Sequence, residues 1–273
     1  MAALRLGVMV SLAEDPSTAL EKVSALGLPT CQLGLGKIDD FSSELASEIL
    51  RSATRWNVEI TCCWPRLPGR TVWNFTEGPA TIGLVPRATR PERVEAFKRS
   101  SDFARLLGVP ALAAHMGFIP ENPSDPEYPS VIETLREVAT YCQNNGQEVW
   151  FETGQETPIT LLRAFEDVGV NNLGVNLDPA NLLMYGKANP IDALEVLGPR
   201  VRGVHAKDGE YPTNGRQLGL EKPLGEGRVD FPVLVPKLKA FGFAGALTIE
   251  REVRGPEQVA GIRQAIHVLQ PLV

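Results

Sequence analysis

Short apolar segments alternate with longer amphipathic segments along the whole chain. The apolar segments are five to seven residues long and rich in Val, Ile, Leu and Ala, a pattern typical of buried strands. They predict eight strands, at residues 4–10, 30–35, 58–64, 111–117, 148–152, 173–178, 201–207 and 246–250.

The amphipathic segments between these strands predict helices. The first helix begins after Asp15, a capping residue followed by Pro16, and ends at Gly27. The other helices are predicted at residues 42–56, 91–107, 129–144, 159–168, 190–197, 231–241 and 256–269. Each predicted strand is therefore followed by a helix.

This strict alternation implies a parallel sheet in an α/β protein. Eight such units in a chain of 273 residues predict a closed (β/α)₈ TIM barrel. We expect residues 1–273 to form one TIM-barrel domain, because no shift in composition divides the chain. An open doubly wound sheet is the alternative, which the absence of a G-x-G-x-x-G motif after the first strand disfavours.

The composition narrows the class of protein. The 27 Lys and Arg residues against 33 Asp and Glu residues leave a net charge of −6, which argues against a nucleic-acid-binding protein. Neither a membrane-spanning run of about 18 apolar residues nor an N-terminal signal peptide is evident. The four cysteines are too few for a disulfide scaffold and are expected to be free buried thiols, so a cytoplasmic protein is expected.

Ionisable side chains stand at the ends of the last four predicted strands: Glu152, Asp178, His205 and Glu250. In a TIM barrel these ends form the rim that holds the active site. Three carboxylates that converge there would repel one another, and a divalent cation would neutralise them. Three oxygens and one nitrogen suit Mn²⁺, with Mg²⁺, Co²⁺ or Zn²⁺ also possible. The alternative is that each is an ordinary solvated or ion-paired residue at a strand end.

The sequences around these four residues resemble the strand-end motifs of the xylose-isomerase-like TIM barrels, most closely the ketose 3-epimerase branch. The matching strings are FETG at 151–154, NLDPAN at 176–181, VHAKD at 204–208 and TIE at 248–250. The resemblance implies that Glu152, Asp178, His205 and Glu250 hold one metal ion. It also implies that Glu152 and Glu250 are the catalytic acid/base pair.

The substrate contacts depart from that branch. The branch carries a His where this chain has Asn181, and a Glu where it has Pro158. An Arg of the branch falls near Tyr211, and Arg216 comes later. The resemblance therefore extends to the metal ligands more fully than to the substrate contacts. The related trinuclear-zinc endonucleases need several histidines, and this chain has three in total.

Five side chains are candidates for substrate binding: His115, Asn181, Lys207, Trp64 and Arg216. His115 ends the fourth predicted strand and could equally be a hydrogen-bonded rim residue. Lys207 shares the inward face of His205, because side chains alternate along a strand, and it could instead pair with Glu250. Arg216 could also be a solvated loop residue.

Two long loops follow the third and seventh predicted strands. Residues 65–89 and 209–228 are both long enough to act as lids over the active site. Trp73 and Phe75 in the first loop could form a wall for a sugar or anchor the loop by packing. We expect Asp208 to cap or anchor the second loop.

Together these features predict a divalent-metal-dependent isomerase or epimerase of carbohydrate metabolism, acting on a ketose, keto-sugar or related polyol through an enediolate. A dehydratase or lyase acting on a keto-sugar or inosose would use the same site. A sugar-binding barrel or enzyme subunit without turnover is a third possibility. The expected partner is a small sugar, without nucleic acid or membrane, and by analogy a homodimer or homotetramer is expected.

Overall fold

The computed structural model describes residues 3–12 and 15–273. The strands in these ranges are β1 (Arg5–Ser11), β2 (Thr30–Gly34), β3 (Glu59–Trp64), β4 (Ala111–Ala114), β5 (Glu148–Glu152), β6 (Leu173–Leu177), β7 (Val201–Ala206), β8 (Asp208–Gly209), β9 (Glu221–Lys222) and β10 (Ala246–Ile249). The α-helices are α1 (Pro16–Ala25), α2 (Ser43–Trp56), α3 (Gly78–Thr81), α4 (Arg90–Leu106), α5 (Tyr128–Asn144), α6 (Pro158–Val168), α7 (Pro179–Met184), α8 (Pro190–Leu197), α9 (Phe231–Ala240) and α10 (Pro256–Leu269). Short 3₁₀ helices lie at Ile38–Asp40, Gly198–Arg200 and Gln270–Leu272.

Eight of these strands close into a parallel barrel in the order β1-β10-β7-β6-β5-β4-β3-β2. The predicted (β/α)₈ barrel is therefore confirmed, and the open doubly wound sheet is wrong. All eight predicted strands are present, although some end earlier than predicted. The fourth ends at Ala114 rather than at Gly117, and Asp178 and Glu250 each lie one residue past their strands.

Parallel pairing places the polar side chains of neighbouring strands on the same inner face. Glu152 pairs with Asn176, which pairs in turn with Gly203 on β7. His205, two residues further along β7, pairs with Thr248 on β10. Since side chains alternate along a strand, residues 203 and 205 both point into the barrel, and later residues lie nearer its carboxyl end.

Helix starts follow local sequence signals. Asp15 caps α1 by accepting a hydrogen bond from the Thr18 N–H at 2.8 Å, as the sequence predicts. Asp178 caps α7 in the same way, accepting from the Asn181 N–H at 2.8 Å. Helix α7 is absent from the predicted elements, although its Asp-Pro start repeats that of α1. Because Asp178 serves as this cap, its backbone leaves the β6 ladder.

Apolar side chains fill two regions of the barrel. The larger cluster lies between the barrel wall and the surrounding helices. A smaller cluster contains Cys62, Ala111, Ala113 and Trp150. All four cysteines are buried with free thiols, and burial raises the pKa of Cys31 to about 12. None of the described helices is both long and apolar enough to cross a membrane.

A buried arginine holds the first long loop. The Arg93 side chain on α4 donates hydrogen bonds to the carbonyl oxygens of Pro68, Arg70 and Gly83 at 3.0, 3.1 and 2.8 Å. Arg93 is fully buried, and the loop also contains the short helix α3. Both halves of this loop are therefore tied to α4 by one guanidinium.

A buried carboxylate anchors the second long loop, as predicted. Asp208 accepts hydrogen bonds from the backbone N–H groups of Gly209, Gly225, Gly227 and Val229 at 2.8–3.0 Å. A Cβ at position 227 would lie 2.1 Å from the Asp208 carboxylate, so glycine is needed there. Within the loop, β8 and β9 pair as an antiparallel ribbon.

We expect Asp208→Asn to loosen this loop, because an amide nitrogen would face backbone N–H groups that need an acceptor. The free energy of unfolding should fall by about 1–3 kcal/mol, the cost of leaving buried donors unsatisfied. Amide hydrogen exchange at residues 225–229 should accelerate more than exchange in the barrel strands. The control is Glu210→Gln, which removes only a surface ion pair with Lys222. Equal effects of the two variants would contradict the anchoring role.

Candidate metal centre

Four side chains from neighbouring strands meet at the carboxyl end of the barrel. Glu152 ends β5, Asp178 follows β6, His205 lies in β7, and Glu250 follows β10. One oxygen or nitrogen atom from each residue lies within 4.8 Å of the corresponding atoms of the others. The four strands are adjacent in the barrel, so the predicted convergence of these residues is confirmed.

We call Glu152, Asp178, His205 and Glu250 the ligand group, because together they could hold a metal ion. His205 lies at its centre. Its Nδ1 is 2.7 Å from Glu152 Oε1, 3.2 Å from Glu250 Oε2 and 3.9 Å from Asp178 Oδ2. Burial disfavours the charged imidazolium, but the Glu250 and Glu152 carboxylates outweigh burial and raise the pKa of His205 to about 10. For the protein side chains alone, a proton on Nδ1 therefore faces all three carboxylates.

Glu152 is held between two histidines. Its second oxygen, Oε2, is 2.5 Å from His115 Nε2. Burial raises the pKa of Glu152, but the charges of His115 and His205 outweigh burial and lower that pKa to about 2. The other nitrogen of His115 lies 3.2 Å from Gln155 Oε1. His115 therefore contacts Glu152 directly and favours its ionised form.

Lys207 places a buried positive charge beside the group. Its Nζ lies 2.8 Å from Glu250 Oε2, 2.8 Å from Glu252 Oε1 and 3.1 Å from Asp178 Oδ2. Burial disfavours the ammonium, but the Asp178, Glu250 and Glu252 carboxylates outweigh burial and hold the pKa of Lys207 well above its usual range. Against the effect of burial, Lys207 and His205 hold the pKa of Glu250 well below its usual range.

Asp178 has one oxygen bound and one without a hydrogen-bond partner. Oδ1 caps α7, whereas Oδ2 is buried and unpaired, since the ammonium of Lys207 at 3.1 Å lacks hydrogen-bond geometry. Burial raises the pKa of Asp178 to about 7, and the charges of Glu152 and Glu250 add to this effect. A buried carboxylate oxygen that accepts no hydrogen bond has the capacity to coordinate a cation.

These residues fit a divalent metal ion. The Glu152, Asp178 and Glu250 carboxylates carry more negative charge than the Lys207 ammonium compensates, because Lys207 also pairs with Glu252. A divalent cation that took the place of the proton on His205 Nδ1 would offset this excess. Oxygen donors with one imidazole nitrogen form a set that Mn²⁺, Mg²⁺, Co²⁺ and Zn²⁺ all use. Asp178 Oδ2, which accepts no hydrogen bond, is available as one donor atom to a metal ion. His205 Nδ1, once it has lost its proton, is available as a second.

Two buried amides beneath the ligand group are absent from the predicted site. Gln32 Oε1 lies 2.6 Å from Trp64 Nε1 and 2.9 Å from His205 Nε2. Gln32 Nε2 donates to Asn176 Oδ1 at 3.0 Å, and because β2 and β6 are not neighbours, this bond crosses the barrel interior. The only signal in the sequence is a lone polar residue inside an otherwise apolar strand.

Four of the five predicted substrate-binding residues lie beside the ligand group: Trp64, His115, Asn181 and Lys207. The Trp64 ring stacks on the His205 imidazole with centroids 5.0 Å apart. Asn181 is buried and contacts Asp178 through its backbone N–H. The structure does not bring Arg216 to the group. Arg216 is exposed, and no contact joins it to the four ligands in the part of the chain that the structure describes.

Three further polar side chains near Glu152 are buried with an unpaired atom: Gln155, Glu156 and Tyr185. Gln155 and Glu156 lie in the loop after β5, and the Tyr185 ring packs over Gly154 in that loop. The Tyr185 hydroxyl lies near Gln155 but without hydrogen-bond geometry. Burial raises the pKa of Glu156 to about 8. Glu156 lies two residues before Pro158, the position at which the ketose 3-epimerase branch carries a Glu.

Comparison with known proteins identifies the family of this barrel. A family model described as xylose isomerase-like TIM barrel matches residues 20–272. The crystal structure of a xylose isomerase domain protein from Planctomyces limnophilus is 34% identical, with a TM-score of 0.93 and coverage of 98% of this chain and 97% of that one. An uncharacterised protein of Methanocaldococcus jannaschii is 25% identical over 258 residues, which span 89% of this chain and 82% of that protein.

A more distant structure shares the fold. D-psicose 3-epimerase from Clostridium cellulolyticum H10, crystallised with D-tagatose, is 15% identical with a TM-score of 0.75, and the match covers 98% of this chain and 99% of that one. The family match itself extends over nearly the whole barrel, from residue 20 to residue 272. The chain therefore belongs to the xylose isomerase-like TIM barrel family.

Proposed function

We propose that this protein is a divalent-metal-dependent isomerase or epimerase that acts on a ketose, keto-sugar or related polyol. The observation that carries the proposal is a pair of carboxylates, Glu152 and Glu250, on two sides of one ligand group. Both lie close to His205 Nδ1, at 2.7 and 3.2 Å. The shared fold of a D-psicose 3-epimerase is consistent with this chemistry.

Glu152, Asp178, His205 and Glu250 are the residues that would hold the metal ion, for which we propose Mn²⁺. A bound divalent ion supplies Lewis-acid stabilisation of the negative charge that develops on substrate oxygens. Asp178 and His205 serve mainly to hold the ion, because Asp178 Oδ1 caps α7 and His205 Nε2 contacts Gln32.

Glu152 and Glu250 move the proton. Their strands, β5 and β10, are separated in the barrel by β6 and β7, so the two carboxylates approach a substrate from different sides. Both side chains have a pKa below the usual range and are ionised near neutral pH. One carboxylate takes a proton from carbon, and the other returns a proton on the opposite face in an epimerisation.

The neighbouring polar groups support this exchange of protons. His115 lies 2.5 Å from Glu152 and helps to keep that carboxylate ionised. Lys207, 2.8 Å from Glu250, does the same for the second carboxylate. The Lys207 ammonium also stabilises the enediolate oxygens electrostatically. The unpaired atoms of Gln155, Glu156 and Tyr185 offer hydrogen bonds to hydroxyl groups of a polyol.

The protein should bind one divalent ion per chain. Because the ion binds only the folded state, Mn²⁺ at about 100 times its Kd should stabilise that state by about 2.7 kcal/mol. Elemental analysis after dialysis and the melting temperature with and without Mn²⁺ measure the two effects.

Asp178→Asn keeps an oxygen to cap α7 but removes a charge from the site, and the Mn²⁺-dependent rise in melting temperature should shrink. Glu195→Gln, which removes a surface ion pair with Lys237, should leave that rise unchanged. A wild-type melting temperature that stays the same on addition of Mn²⁺, Mg²⁺, Co²⁺ or Zn²⁺ would rule out the metal centre.

During turnover in D₂O, the hydrogen on the reacting carbon of the substrate should exchange with solvent. Glu152→Gln and Glu250→Gln keep the side-chain shape but remove the basic carboxylate, so turnover should fall by about 10²–10⁴-fold. A panel of ketoses and keto-sugars, assayed by NMR, provides the measurement.

Near-normal turnover in either variant would remove that residue from the mechanism. Turnover without deuterium in the product would favour a hydride shift over proton transfer through two carboxylates. A product lighter by one water molecule would identify a dehydratase that uses the same ligands.

The two long loops should close over a bound sugar, within limits that their anchors set. Arg93 and Asp208 hold the loop bases, so protection from hydrogen exchange should appear at residues 71–77 and 211–218. Residues 225–229 should change little. Identical exchange with and without sugar at a saturating concentration would show that the loops are not lids.

A further inference from the structure

The two nitrogens of His205 face different surroundings. Nδ1 faces the carboxylates of the ligand group, whereas Nε2 lies 2.9 Å from the side-chain oxygen Oε1 of Gln32. Gln32 is 1% exposed and lies on the opposite side of the imidazole from Glu152. The ring is therefore placed between one acidic cluster and one neutral amide.

The orientation of the Gln32 amide follows from a third residue. The indole nitrogen of Trp64 can only donate a hydrogen bond, and it lies 2.6 Å from the same Gln32 atom that faces His205. That atom must therefore be the amide oxygen. The amide nitrogen points the other way and donates to Asn176 Oδ1 at 3.0 Å. The Trp64 N–H thus determines which end of the amide His205 meets.

An amide oxygen only accepts hydrogen bonds, so His205 Nε2 must carry a hydrogen whether or not Nδ1 is also protonated. Binding of a metal ion would displace only the proton on Nδ1. A neutral imidazole with hydrogen on Nε2 has its lone pair on Nδ1, on the side of the carboxylates. We infer that Gln32, oriented by Trp64, is a positioning residue that selects this tautomer and makes Nδ1 the metal-binding atom of His205. The inference rests on the proposed metal centre.

Neighbouring groups keep the amide and the ring in place. The Trp64 ring stacks on the imidazole, with an angle of 26° between the ring planes, and so restricts its rotation. Gly203 leaves the room that Asn176 needs, because a Cβ there would lie 2.3 Å from Asn176 Oδ1. Partners that hold the second nitrogen of a ligating histidine typically change metal affinity about 10- to 100-fold.

Two substitutions at one position separate the oxygen acceptor from the shape of the side chain. Gln32→Met has a similar length but no comparable acceptor. Gln32→Glu keeps acceptor oxygens, and the Asn176 amide, whose Nδ2 has no partner, can rotate to donate to the new carboxylate. Zn²⁺ is the probe, because it is diamagnetic and suits imidazole ligands.

Long-range ¹H–¹⁵N NMR spectra of the histidine rings in the Zn²⁺-loaded protein report the tautomer. The wild type and Gln32→Glu should show hydrogen on Nε2 and metal on Nδ1. Gln32→Met should lose the single tautomer and bind Zn²⁺ about 10- to 100-fold more weakly. Wild-type coordination through Nε2, or a Gln32→Met variant with an unchanged spectrum and affinity, would overturn the inference.

Trp64→Phe provides an independent variant should Gln32→Met fail to fold. It keeps an aromatic ring over His205 but removes the N–H that orients the amide, so a mixture of tautomers is expected. Trp56→Phe, which removes only the hydrogen bond to Ser17, is the matched control and should keep the wild-type spectrum. An unmixed wild-type tautomer in Trp64→Phe would contradict the role of Trp64.

The same spectra distinguish this inference from the proposed function. If wild-type protein binds none of Zn²⁺, Mn²⁺, Mg²⁺ and Co²⁺, the metal centre is refuted, and with it the role of Gln32. A hydrogen-bonded Nε2–H in metal-free wild type would then show that the contact with Gln32 is structural only. If Zn²⁺ binds through Nδ1 in every variant, the metal centre stands and the positioning role of Gln32 is refuted.

Discussion

The accumulation of negative charge at the mouth of an apolar barrel is the constraint on which the site depends. Three carboxylates cannot be buried together without compensating positive charge, since an unpaired buried charge costs several kcal/mol. The chain supplies one permanent cation, Lys207, and two histidines that contact Glu152. Protons on His205 and His115 supply the rest of the compensation in the protein alone. A divalent ion bound by the four candidate ligands would supply it in place of the proton on His205.

The barrel meets this constraint through the alternation of side chains along its strands. His205 on β7 and Lys207, the residue directly after β7, both reach the ligand group, where His205 is a member and Lys207 provides a positive charge. The residue between them, Ala206, is buried in the main apolar cluster. The end of β7 and the residue after it therefore place a candidate ligand, a core contact and a counter-charge within three consecutive residues.

Features that recur along the chain are predictable from the sequence, whereas contacts between residues far apart in the chain are not. The eight strands follow from apolar segments that repeat along the chain, and the candidate ligands from ionisable residues at the ends of its last four strands. Gln32 meets His205 across 173 positions of the chain, a contact that no local pattern encodes. The sequence predicts Arg93 only as part of the helix at residues 91–107. Its role as the anchor of the first long loop is evident only from its hydrogen bonds to three loop carbonyls. Arg216 is a candidate for substrate binding with a solvated loop residue as the alternative, and in the structure it is exposed.

Asp208, which anchors the second long loop, divides two segments of different tolerance to insertion. Residues 205–208 must keep their length, whereas the loop after Asp208 is free to change it. The interval from His205 to Asp208 cannot gain or lose a residue without moving both the ligand and the anchor. Between the anchored residues 209 and 225, by contrast, only the short β8–β9 ribbon and a few contacts constrain the path. Insertions, deletions and new side chains in residues 211–218 can therefore reshape the entrance to the barrel while the four candidate ligands keep their positions. Under the proposed function, differences in substrate preference among relatives should concentrate in this segment.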